Sequence, residues 1–316
     1  MPSSPHQPDL LLKRLEWTVI RRLDGLLQGD YRTLFRGFGL DLADLREYQP
    51  YDDVRHIDWN VTARTQTTHV RVYNEDREVT AWLLLDLSPS IDFGSGPVSK
   101  RQVLAEFAAI VARLLTRQGN KVGAILYDGQ SDFVVPPRTG RQHVLNLIEQ
   151  IFARPRLLRA PKTDLGAFLR RSLGVIKRRS LIFIVSDFVS QPGWERQLSL
   201  LVQRHEAIAV RLVDPFDMAL PDIGLLAFQD AETGEQLFVD TADKGFRKRF
   251  VALAEQEEEK VLGAFADAGT DVLELSTGDD LVDGIMRFAD LRKTQSRLTG
   301  GGSLPKHLAA GPPAGA

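Results

Sequence analysis

Short, almost unbroken apolar runs separated by helical repeats constrain this chain more than any other feature. VTAWLLLDLS (Val79–Ser88), KVGAILYD (from Lys121), SLIFIVSDF (from Ser180), AIAVRLVDP (from Ala207) and DVLEL (from Asp271) are each too short to cross a membrane. They also lack the alternation of a strand with one wet face, so each reads as a strand buried on both faces. Between them the periodicity is helical. From about Ser99 to Gln118, Val103, Phe107, Ile110, Val111 and Leu114 share one face, and Gly119-Asn120 is the stop. Further helices are expected near 140–152, 165–178, 194–204, 244–268 and 280–291. Buried strands alternating with amphipathic helices predict a doubly wound, mostly parallel α/β sheet over residues 78–292. Gly129 turns KVGAILYD toward SDFVVP as a hairpin partner, and a small inserted hairpin is expected near residues 222–240.

The flanks read differently. Residues 1–77 hold one helical pattern, Leu10 to about Leu27, and then an irregular, charged and aromatic stretch in which only Thr68–Tyr73 alternates like a strand. Residues 293–316 end in TGGGSLPKHLAAGPPAGA, a composition expected to be a disordered tail. With 316 residues and 43% hydrophobic content the chain can bury a sizeable core without staples. It has no cysteine, which removes disulfides, thiolate-bound zinc and thiol nucleophiles. A net charge of -2 gives no general pull toward nucleic acid or anionic membrane. No apolar stretch reaches membrane length and no signal-peptide core is present, so a cytoplasmic protein without membrane insertion is expected.

In open α/β sheets ligands gather where strands end and strand order reverses. Two runs end in polar groups: the first in Asp86-Leu87-Ser88-Pro89-Ser90, and the strand Ser180–Ser186 in Asp187. One carboxylate and two hydroxyls spaced by two can face one point from a curled loop. Hard oxygen donors of that kind suit Mg²⁺, with Mn²⁺ or Ca²⁺ as alternatives. Asp187 supplies a second carboxylate, and Thr163, ahead of the helix at 165, another hydroxyl. So few charged ligands leave the ion electron-poor, with a position open to water or to an acidic residue of a partner. Singly, these residues are ordinary turn and cap formers. Together, each at the end or start of its element, they favour a metal site.

Asp86, Ser88, Ser90, Thr163 and Asp187 resemble, in order, the metal-ion-dependent adhesion site of von Willebrand factor A-like domains. The block Gly39-Leu40 through Leu45-Arg46-Glu47-Tyr48-Gln49-Pro50, then Asp52-Asp53-Val54-Arg55-His56-Ile57-Asp58-Trp59-Asn60 and Ala63-Arg64, resembles the signature of domain-of-unknown-function family 58. That family joins the signature to a von Willebrand A-like domain, and the likeness spans residues 30–290. It implies a non-enzymatic adaptor working beside a MoxR-type AAA+ ATPase and a client protein. One position departs from the pattern: Tyr51 stands where the family carries Gly. Gly would permit a positive φ there, whereas Tyr takes an ordinary turn or carries strain.

The signature residues Arg46, Glu47, Tyr48, Asp52, Asp53, Arg55, Asp58, Trp59 and Arg64 admit three readings. The preferred one is a structural clamp: Trp59 buries its ring and Arg–carboxylate pairs pin the wrap. The second is a partner-docking surface. The third is a carboxylate cluster, Asp52/Asp53/Asp58, for a metal-dependent phosphoesterase or nuclease. His56, His69, His143 and His205 form no ligand spacing. Ser88 and Ser90 lie in no Gly-x-Ser-x-Gly elbow, and there is no phosphate-binding Gly-x-x-x-x-Gly-Lys-Ser/Thr loop. A scaffold with a vestigial metal site is the remaining alternative.

Overall fold

The computed structural model describes residues 8–26, 45–49, 57, 59, 62–63, 67–71, 80–155, 161–229 and 235–300. Its strands are β1 (Leu45–Glu47), β2 (His69–Arg71), β3 (Thr80–Asp86), β4 (Lys121–Tyr127) and β5 (Asp132–Arg138). β6 (Leu181–Ser186), β7 (Glu206–Val213), β8 (Leu225–Gln229), β9 (Gln236–Asp240) and β10 (Asp271–Ser276) follow. Helix α1 (Pro8–Leu15) continues through a π-helical turn at Glu16–Ile20 into α2 (Arg21–Leu26). Then come α3 (Lys100–Arg117), α4 (Arg141–Ala153), α5 (Leu165–Val175) and α6 (Trp194–Arg204). The short α7 (Pro215–Met218), α8 (Lys244–Ala268) and α9 (Leu281–Gly300) complete the set.

Six strands make the central sheet in the order β10-β7-β6-β3-β4-β5, parallel except for the antiparallel pair β4–β5. This is the mostly parallel α/β architecture that the apolar runs predict. Side chains of β3 alternate between two cores. Ala81, Leu83 and Leu85 join the core beneath α1, α3, α4 and α9, while Trp82 and Leu84 join the core beneath α5, α6 and α8. Both faces are therefore dry, which is why these strands carry no polar alternation.

α1 and α2 belong to the first of these cores through Leu12, Leu15, Val19, Ile20 and Leu23. Arg113 Nε donates to Glu16 at 2.6 Å, and Arg22 reaches Asp280 at 2.7 Å. At the edge, β5 carries Pro136-Pro137, and its register against β4 slips between Val122 and Ala124. A Cβ at Gly123 would stand 3.0 Å from the Trp82 ring and 3.1 Å from the Pro137 nitrogen, so a larger residue beneath that slip would have to push its neighbours aside.

Two elements differ from the sequence expectation. α9 runs to Gly300 instead of stopping near residue 291, because no glycine or proline interrupts Ile285–Thr299. The Thr68–Tyr73 strand has a partner that periodicity does not show: β2 pairs antiparallel with the three-residue β1, Arg46 opposite Val70. Among the described residues no helix is long and apolar enough to cross a membrane.

Candidate functional site

β3 lies at the centre of the sheet. The chain leaves it toward β4 and β5 on one side, then returns to build β6, β7 and β10 on the other. The reversal falls between β3 and β6, and Asp86 and Asp187 stand at the carboxyl ends of those two neighbours. The loop after Asp86 curls because Ser88 donates its backbone N–H to Asp86 Oδ1 at 2.9 Å, and a 3₁₀ turn follows over Pro89–Asp92. That curl sets Ser88 Oγ 3.3 Å from Ser90 Oγ. Asp86, Ser88 and Asp187 are buried.

Thr163, also buried, reaches the same region from the loop ahead of α5. Its carbonyl accepts from Gln191 N and Ser190 Oγ, each at 2.9 Å, which ties it to the loop that follows Asp187. Tyr127, at the end of β4, receives the backbone N–H of Asp164 on its hydroxyl at 3.3 Å.

The two carboxylates repel each other, and that repulsion shapes their electrostatics. Burial, and then the like charge of Asp187, push the Asp86 carboxyl up to about 6, against the pull of hydrogen bonds from Ser186 and Ser88. Ser186 Oγ donates to Asp86 Oδ2 at 2.7 Å. Asp187 faces a cation. Lys100 Nζ lies 3.4 Å from Asp187 Oδ2 and 2.8 Å from Asp217 Oδ2, with its side chain 3% exposed. Burial pulls the Lys100 ammonium down, but the charges of Asp187 and Asp217 outweigh it and hold the group above its ordinary value. Beyond Asp187 the backbone turns sharply: Phe188 has φ 59°, the left-handed region that a bulky residue avoids, and its N–H donates to Ser186 Oγ at 2.9 Å.

Sequence reasoning did not single out Lys100, Ser186 or Asp217. A signal for Lys100 exists. Ser99 caps α3, yet the first turn carries Lys100 and Arg101 and no acid, the opposite of what a helix dipole favours. Both are buried, which requires anions opposite them. Arg101 finds Asp92 at 2.6 Å and Lys100 finds the Asp187–Asp217 pair.

Among the described residues no group of three or more His, Cys, Asp or Glu side chains could hold a metal ion. The oxygen set here is smaller and mixed, two carboxylates with serine and threonine hydroxyls. Its chemistry fits a hard divalent cation, because a buried carboxylate pair with one tethered ammonium still carries excess negative charge.

Of the signature residues, Asp52, Asp53, Arg55, Asp58 and Arg64 lie outside the described residues, as does Tyr51. Arg46 and Glu47 sit in β1, and Tyr48 N donates to Thr68 O at 2.8 Å. Trp59 does not bury its ring as the clamp reading expects. It is 69% exposed, and both its sequence neighbours, Asp58 and Asn60, are polar. His205 is buried, and among the described residues neither of its ring nitrogens has a hydrogen-bond partner.

Residues 44–260 match the family model described as "Protein of unknown function DUF58". Uncharacterised proteins of Mycobacterium bovis and Mycobacterium tuberculosis are each 36% identical over 306 residues, covering 92% of this chain and 96% of theirs. Among solved structures, an aerotolerance-related membrane protein from Bacteroides fragilis aligns with TM-score 0.45 and 12% identity, over 68% of this chain and 99% of that one. The SpRpn10 VWA domain aligns with TM-score 0.36 and 11% identity, over 66% and 94%. Likenesses this weak carry no functional argument.

Proposed function

The chain belongs to the DUF58 family of proteins of unknown function, and we propose that it is a non-enzymatic, metal-dependent protein-binding adaptor. In this reading Asp86 and Asp187 hold the charge of Mg²⁺, for which Mn²⁺ or Ca²⁺ can substitute. Ser88, Ser90 and Thr163 contribute hydroxyl oxygens, and an acidic residue of the partner completes the coordination. The resemblance of the Arg46–Arg64 block to the family's signature makes a MoxR-type AAA+ ATPase, coupled to a client protein, the partner of choice. The described residues supply no phosphate-binding loop for ATP, so hydrolysis falls to that other chain.

The observation that supports the reading is the buried carboxylate pair at the point where strand order reverses. Asp86 is held near 6 because burial and Asp187 disfavour its charge, and a divalent cation between them removes both penalties. Lys100 supplies one positive charge to Asp187 and shares it with Asp217, which leaves the pair undercompensated.

Calorimetric titration of Mg²⁺ into the wild type and into Asp86→Ala tests it. Binding in the wild type, its loss in the variant and unchanged circular dichroism are expected. No heat and no rise in melting temperature with millimolar Mg²⁺ in the wild type defeats the metal reading. Capture of the MoxR-type ATPase should then disappear in EDTA and in Asp86→Ala alike.

A further inference from the structure

Beside the carboxylate pair, past the ends of β6 and β7, opens a cleft of about 900 Å³. That volume lies within the range of ligand and peptide pockets. Val189, Phe216, Phe228, Phe250 and Leu253 give it apolar walls, drawn from the loop after β6, from α7, from β8 and from α8. These walls are not spent on the core. Leu253 is 62% exposed and Val189 59%, so a contiguous apolar surface faces outward at this end of the sheet.

The charges around those walls are unequal. Five carboxylates border the cleft, Asp187, Glu195, Asp217, Glu257 and Glu258, against three cations, Lys100, Arg211 and Lys260. Every one of those cations is already engaged by them. Lys100 serves Asp187 and Asp217, and Lys260 meets Glu257 at 2.6 Å. Arg211 meets Glu258 at 3.1 Å and a further carboxylate, Glu274, at 3.2 Å. Glu195 is held by a backbone N–H, that of Gly193 at 2.8 Å. The rim therefore keeps a surplus of negative charge around an apolar floor.

We propose that this cleft is the docking site for a basic amphipathic segment of the protein partner. It rests on the adaptor reading for the partner being a protein, and not on the metal. Apolar side chains at helical spacing enter between α8 and the β8–β9 hairpin, and Lys or Arg on the flanks face Glu195, Asp217, Glu257 and Glu258. With no cation bound at Asp187, acidic segments and anionic lipid surfaces meet like charge at the same rim and are turned away.

The test pans a displayed library of random peptides, about 15 residues long so that a helix can form, against the full chain in EDTA. The Leu253→Asn/Val189→Asn double variant, altered only at exposed positions, serves as counter-target. Enriched peptides should be net positive with apolar residues three and four apart. A labelled copy of one should lose about tenfold in affinity on the double variant. Glu195→Gln/Glu257→Gln should weaken it several-fold, and added salt should weaken it further. Asp86→Ala, and Mg²⁺ in place of EDTA, should leave the peptide bound, including in a protein that fails to bind Mg²⁺, which separates this proposal from the metal reading. Several outcomes overturn it: enrichment of acidic peptides, equal retention by the counter-target, or loss of binding in Asp86→Ala. Self-association of the chain that Leu253→Asn dissolves, or tighter binding to anionic vesicles than to the peptide, also overturns it.

Discussion

Helices α3 and α8 cover opposite faces of one sheet, and they are built to opposite standards. α3 buries fourteen of its eighteen residues, while α8, with twenty-five, fully buries Phe265 alone. α3 is enclosed on several sides, touching strands β3, β4, β7 and β10 beneath it and α1 and α4 beside it. α8 leans on α6 and α7 and turns Leu253 and Leu262 to solvent. The difference locates stability on one face and an unfilled surface on the other.

The sharpest way to break that comparison is Phe107→Ala. The ring packs edge-on against Phe183, centroids 5.9 Å apart, and its removal from α3 should cost about 3–5 kcal/mol in urea unfolding. Lys100→Met, at the start of the same helix, strips a buried cation from Asp187 and Asp217 and should cost about 3 kcal/mol. Millimolar Mg²⁺ should restore a good part of that loss. No restoration in melting experiments places the ion elsewhere.

pH sharpens the picture next. The Asp86 carboxyl, raised to about 6 when folded and 3.8 otherwise, binds its proton more readily in the folded state. Its destabilising contribution is therefore complete above pH 6 and is relieved as pH falls from there toward 3.8. The proton and Mg²⁺ compete for one carboxylate. Thermal shift with Mg²⁺ should be several degrees at neutral pH and vanish below about pH 6.

His205 works with the opposite sign and a smaller effect. Burial, and then the neighbouring Arg204, push its imidazole below the ordinary 6.5. The neutral ring is thus favoured on folding. The stability it contributes is present above pH 6.5 and is lost as acid charges the unfolded chain, a slope that His205→Phe should remove from a pH series of unfolding curves. Leu253→Ala should change stability least, within about 0.5 kcal/mol in urea unfolding. A cost near that of Phe107→Ala would erase the contrast between the two helices.

What the amino-acid order reveals follows from how local each feature is. β3, β6 and β7 are legible because both faces are dry and the apolar run is unbroken. β8 and β9 are legible through the turn composition between them. β1 is not, since three residues carry no period and the strand described as its partner, β2, begins only at His69. Asp86, Ser88 and Ser90 stand out because strand and curl are contiguous. Lys100 converges on Asp187 across 87 positions and announces itself only as a misplaced charge in the first turn of α3. The cleft walls come from four separate elements, and no window of sequence contains them.

The prolines of β5 carry one more consequence. Pro136 and Pro137 remove two consecutive N–H groups from the outermost strand, and the slip against β4 bends it away from flatness. A visiting strand finds fewer rungs there on which to climb, which hinders lengthening of the sheet along that flank. Whatever assembles with this protein by adding a strand finds little backbone to pair with along that border.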